Sequence, residues 1–159
     1  MKKIFLTVIR IKNSIFRRIR VFYYRCLLND CGKGVVIDSD VELIYPEKIT
    51  FGNRIIINRY SMIQGTPKSS IVIGDDVVIS YGVKILTASL FVDFLPFKHY
   101  YKDVCIGNRV WLAANVTVLP GVIINDDVIV AANSLVTKDL ESGYVYGGVP
   151  AQKIKKVER

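Results

Sequence analysis

The chain holds one histidine, His99, within the aromatic and basic run Phe97-Lys98-His99-Tyr100-Tyr101-Lys102. An imidazole is well suited to take a proton from a hydroxyl near neutral pH, because its own pKa lies there. Such a base works best when a carboxylate orients it. Asp93 and Asp103 flank His99 in sequence, and Asp93 is the preferred partner. One histidine, with Cys26, Cys31 and Cys105 at irregular spacing, gives no metal-ligand pattern. Three cysteines also make no disulfide framework, and a reducing cytoplasm is the expected location.

The elements that must position these residues follow from a six-residue period. Stepping by six from Ile106 reaches Leu112, Val118, Ile124, Val130 and Val136. Four residues after the first five of these stand Val110, Val116, Val122, Val128 and Ser134. The frame recurs upstream in Ile73, Ile79 and Ile85, in Phe51, Ile57 and Ile63, and in Ile37, Leu43 and Ile49. Neither a helix nor an ordinary strand has this period. A short β-segment closed by a tight turn does, and Gly52-Asn53, Gly74-Asp75, Gly107-Asn108 and Asn125-Asp126 supply turn chemistry. Three segments close one triangular coil, and coils stack at about 4.8 Å like neighbouring strands. The expected fold is all-β: a parallel β-helix with inward aliphatic ladders, stabilised by stacking.

The frame slips at Gln64 to Ser70, and again between Ile85 and Ile106, whose spacing is not a multiple of six. Residues 86–104 must therefore leave the coil as a protruding loop, where function tends to sit. The expected organisation is an N-terminal helical cap over 1–30, the β-helix over 31–139, and a closing tail over 140–159.

Charge is unevenly placed. Residues 1–29 hold eight Lys/Arg and no Asp or Glu, whereas the remaining 130 residues hold fourteen of each sign. A basic recognition surface for nucleic acid is therefore not expected from the body of the protein. The N-terminal segment is too often interrupted by cations to span a membrane. Two roles fit it: a cap over the open end of the β-helix, which is favoured, and contact with the anionic inner face of a membrane. Both hold together if its apolar side packs inward and its cations face lipid.

Residues 106–136, followed by Thr137-Lys138-Asp139 and the tail Gly147-Gly148-Val149-Pro150-Ala151, resemble the left-handed β-helix, hexapeptide-repeat acyltransferases. Bacterial sugar and polysaccharide O-acetyltransferases are the most similar subgroup. The resemblance implies the left hand of the coil, a homotrimer with sites between neighbouring β-helices, and acetyl-CoA as donor, without a metal. It implies acetyl transfer to a sugar hydroxyl, as in cell-surface polysaccharide biosynthesis, with His99 as base. By the same resemblance Trp111, Ala113, Ala114, Asn133, Ser134, Lys138 and Pro150 border coenzyme A. A backbone amide near Ala113 would serve the oxyanion, and Lys153, Lys155 and Lys156 are further candidates for the phosphates. One departure is plain: relatives often carry the catalytic histidine where this chain has Leu90, nine residues before His99. Amino-sugar N-acetylation and an inactive β-helix scaffold are the alternatives. A zinc carbonic anhydrase on the same fold would need three histidines.

Overall fold

A computed structural model describes residues 2–158, with side chains for all of these except 2–6 and 8–13. The chain folds as an N-terminal helix followed by five stacked coils with three flat faces. The first face holds Asp30–Cys31, Ile49–Phe51, Ile71–Ile73, Val104–Ile106 and Ile123–Ile124. The second holds Val36–Ile37, Ile56–Ile57, Val78–Ile79, Trp111–Leu112 and Ile129–Val130. The third holds Glu42–Ile44, Met62–Gln64, Lys84–Leu86, Thr117–Val118 and Leu135–Val136. All pairings among these strands are parallel, and the whole is a left-handed parallel β-helix.

The period-six aliphatics point inward without exception. Ile37, Ile57, Ile79, Leu112 and Val130 form one ladder, in strict register along the second face, and all are fully buried. The fourth-offset residues Ile55, Val77, Val110 and Val128 are buried beside them. Each fully buried aliphatic contributes about 1.5–3 kcal/mol relative to exposure. A single coil has no second surface to bury against, so this term exists only when coils stack.

The corners are equally regular. Between the first and second faces, the Asn53 amide N–H donates to Asp75, that of Asp75 to Asn108, and that of Asn108 to Asp126, at 2.7–2.8 Å. Gly74 precedes this ladder because a Cβ there would strike the backbone of Gly107 in the next coil. Backbone hydrogen bonds from Asn53 and from Asn108, reinforced by the same residues' side chains, hold the carboxyls of Asp75 and Asp126 below the ordinary 3.8.

Residues 86–104, expected as a loop, form an antiparallel hairpin of Ala88–Phe91 and Lys98–Tyr101. The coil then resumes in register, with Val104 beside Ile71. At the far end Tyr144–Gly147 continues the second face in parallel, and Gln152–Lys156 turns back antiparallel upon it.

The N-terminal helix, Lys2–Arg25, lies against the first coil. Over the described side chains of residues 14–25, its polarity is the reverse of the expected one. Arg20 donates to the carbonyl of Ile37, Arg25 to that of Gly32 and Tyr24 Oη to that of Val41, while Arg17 pairs with Asp38. Ile15, Phe16, Ile19, Phe22 and Tyr23 face outward. The reason is the open edge: the first coil presents carbonyls with no coil beneath them, and these call for donors more than for apolar cover. Among the described side chains, Val21 and Tyr24 of the helix and Leu28 just beyond it add to the core. The apolar positions expected within 2–6 and 8–13 lie outside the described side chains.

Two outcomes follow. Ile79→Ala, in the middle of the ladder, should cost about 2–5 kcal/mol in denaturant unfolding. Because Asp75 and Asp126 titrate below their usual value when folded, their stabilisation is complete above pH 3.8 and is lost as pH falls through the lower folded values. Thermal unfolding should weaken across that acid window, and less steeply in Asp126→Asn.

Candidate active site

The hairpin is held at its root by a buried polar hub. Thr87 is fully buried; its N–H and hydroxyl both donate to the carbonyl of Gln64, and its own carbonyl accepts from the N–H of Lys102. Ser69 Oγ sits 2.6 Å from Thr66 Oγ1 and donates to the same Thr87 carbonyl. The insertion at Gln64 to Ser70 thus has a purpose: it supplies the partners that fix where the hairpin leaves the coil.

Cross-strand register decides what the hairpin presents. Ala88 faces Tyr101 and Leu90 faces His99. Directly opposed residues share one face of the ribbon. His99 therefore stands beside Leu90, its imidazole stacked on the Tyr101 ring with centroids 6.1 Å apart. Lys68 Nζ lies over the Tyr101 ring. Ala88, Leu90, His99 and Tyr101 line a groove of about 530 Å³, with Tyr45, Gln64, Thr66 and Pro67 on the coil side. The other face of the ribbon packs Phe91 against Phe94 and Tyr100. Neither proposed carboxylate reaches the imidazole: Asp93 makes no hydrogen bond or ion pair with it among the described residues, and Asp103 accepts the N–H and hydroxyl of Ser70. Among the described residues, the imidazole's contact is the Tyr101 ring.

A second constellation lies at the corner between the second and third faces. Arg59, Tyr81, Ala114 and Ala132 occupy equivalent places in successive coils, because the N–H following each bonds back one coil. The N–H of Ala113 donates to the carbonyl of Val130 and is therefore consumed by stacking. The N–H groups of Ala114 and Ala132 bond to nothing among the described residues. Their methyl side chains leave that backbone open, whereas Tyr60 and Tyr81, with rings 5.0 Å apart, wall the same corner in the earlier coils. Trp111 is half exposed on the adjoining face, its indole N–H donating to Ser80 Oγ at 2.9 Å.

The remaining candidates divide by role. Asn133 takes a left-handed backbone turn and accepts the side-chain amide of Asn115. Ser134 is buried; its hydroxyl donates to the Ala131 carbonyl and accepts the Gly148 N–H, tying the tail to the last coil. Lys138 and Pro150 are exposed. Lys153 is paired with Glu141 and lies over the Tyr144 ring. Among the described residues, Trp111 is not one of those lining the groove that holds His99. Ala132 was missed in the sequence, although it repeats Ala114 one coil, eighteen residues, later; the tyrosine wall gave no periodic signal.

The Bacterial transferase hexapeptide (six repeats) family matches residues 104–138. The Escherichia coli (strain K12) protein provisionally named as the colanic acid biosynthesis acetyltransferase WcaF is 33% identical over 147 residues, covering 90% of this chain and 78% of that one. The chain belongs to the hexapeptide-repeat acetyltransferases. It is a CoA-dependent acyltransferase. A maltose O-acetyltransferase from Clostridium difficile 630 superposes with a TM-score of 0.81 at 30% identity, over 88% of this chain and 75% of that one. The hexapeptide-repeat acetyltransferase VCA0836 of Vibrio cholerae, solved with acetyl coenzyme A, superposes with a TM-score of 0.81 at 25% identity, over 89% of this chain and 78% of that one. In this acetyltransferase the family match spans Trp111, Ala113, Ala114, Asn133, Ser134 and Lys138 and stops short of the hairpin with His99.

The arrangement separates two roles for Ser134. Removing its hydroxyl takes one partner from the part-buried Ala131 carbonyl and Gly148 N–H, a loss of about 0.5–1.5 kcal/mol. Ser134→Ala should therefore lower unfolding stability by that amount and leave KM for acetyl-CoA nearly unchanged; a cofactor contact would show the opposite pattern.

Proposed function

We propose that this protein transfers an acetyl group from acetyl-CoA to a hydroxyl of a sugar or glycan precursor, in the cytoplasm, as a homotrimer. The observation that carries the reading is the cross-strand pair of Leu90 and His99. It supplies an imidazole at the edge of a groove, beside the position where relatives often carry their histidine. The small-residue corner suits the donor. The open N–H of Ala132, without bulky neighbours, can meet an amide carbonyl of a pantetheine arm, and Lys138 lies exposed in the final coil's exit for the phosphates.

The steps assigned to the chain are few. Neutral His99 takes the proton of the acceptor hydroxyl as its oxygen attacks the thioester carbonyl. The Ala114 N–H donates to the carbonyl oxygen as it gains charge, in place of the Ala113 N–H that stacking consumes. His99 then returns the proton to the departing thiolate, giving the acetyl ester and free coenzyme A. In the proposed trimer a neighbouring copy brings its open corner to the His99 groove, which Trp111 does not line within one chain. The exposed aromatic faces of Trp111, Tyr60 and Tyr81 suit an acceptor that combines apolar ring faces with hydroxyls. The likeness to maltose and galactoside O-acetyltransferases favours a hydroxyl acceptor over an amino sugar.

Thiol release from acetyl-CoA, assayed with a panel of nucleotide-linked and lipid-linked sugars, tests the proposal. His99→Ala should lower kcat by about a hundredfold or more, with little change in KM for acetyl-CoA. Equal turnover by parent and variant would remove His99 from the mechanism, and no turnover by the parent with any sugar would remove the proposed acceptor.

A further inference from the structure

The N-terminal helix has a face that neither the fold nor the candidate site uses. Ile15, Ile19 and Phe22 recur at helical spacing on the side turned away from the first coil, with Phe16 and Tyr23 flanking them. Phe22 is 71% exposed and Ile19 58% exposed. The same helix spends Arg17, Arg20 and Arg25 on the coil beneath, so this apolar stripe is not left over from an unsatisfied inner face. Next to it, Arg17, Arg18 and Arg25 line a cleft of about 390 Å³ between the helix and Val35–Val36, with Phe22 at its rim.

Charge selects the occupant. Residues 1–29 carry eight cations and no anion, and the rest of the chain is balanced. Packing this helix against its copy in a second chain would bring two strongly positive segments together. An anionic surface with an apolar interior complements both features at once: hydrocarbon for the stripe, phosphates for Arg18 beside it. Among the described residues no helix is long and apolar enough to cross a membrane, so the helix would lie in the interface plane. We infer that the outward face of the N-terminal helix docks this protein onto an anionic lipid bilayer, with Ile15, Phe16, Ile19, Phe22 and Tyr23 inserted and Arg18 at the headgroups. The orientation is the opposite of a cationic face laid on lipid: cations fasten the helix to the protein, and aromatics enter the membrane. This inference does not depend on the acetyl-transfer reading.

The test uses the full chain and flotation with vesicles. Vesicles with about 30% phosphatidylglycerol in phosphatidylcholine should retain the protein about tenfold more than phosphatidylcholine alone. The triple variant Phe16→Ser, Ile19→Ser, Phe22→Ser should lose about tenfold of that binding while keeping its oligomeric state. Phe22→Trp, which keeps bulk and should fold, should show tryptophan quenching by brominated lipid beyond that of Trp111 in the parent. Binding should also fall in about 0.5 M salt. Equal binding to both vesicle types, no added quenching at position 22, or dissociation of the oligomer by the triple variant would each overturn it, the last by showing that the stripe is covered by another copy.

Discussion

Everything in this molecule is hung on the constant register of side chains between coils. Ile37, Ile57, Ile79, Leu112 and Val130 meet because each strand pairs with its neighbour without a shift. A shift of one residue would turn every one of these side chains outward. The corners enforce the same spacing from outside: asparagine and aspartate side chains bond to the next coil's backbone, and glycine at position 74 allows two backbones to approach where a Cβ could not fit. Apolar burial supplies the energy and the corner ladder supplies the precision. The result is a rigid post, and any segment inserted between coils is presented at a fixed place.

The hairpin and the open corner exploit that rigidity in opposite ways. The hairpin leaves the post and is pinned where it leaves, by Thr87, Thr66 and Ser69, whose polar atoms are all satisfied. The corner stays within the post and contributes backbone alone, exposing N–H groups at Ala114 and Ala132 that stacking does not need. One places an imidazole; the other places donors whose direction is set by the coil.

The sequence disclosed the fold in detail because period six is a direct image of the burial pattern: the stepped residues from Ile37 to Val136 are the buried core. It disclosed the site less well, for reasons that differ by residue. Ser134 follows the frame, but whether a small polar residue faces a ligand or closes a tail depends on Gly148, fourteen residues away. Ala113 and Ala114 look alike in sequence, yet one N–H is consumed by Val130 and the other is open, a distinction that only register reveals. The reach of His99 depends on hairpin pairing, which nothing periodic within residues 86–104 announces. The helix was read with its apolar side inward; amphipathic spacing gives two faces but not which one the open coil edge requires.

The account's central claim is that the hairpin carries the imidazole to the place of Leu90 by cross-strand pairing. The exchange variant Leu90→His with His99→Leu tests it most directly, with thiol release from acetyl-CoA as the readout. Since both positions open on one groove, the exchange should recover activity to within about tenfold of the parent, whereas His99→Leu alone should be inactive. An exchange variant as inactive as His99→Leu, while folded, would contradict the claim.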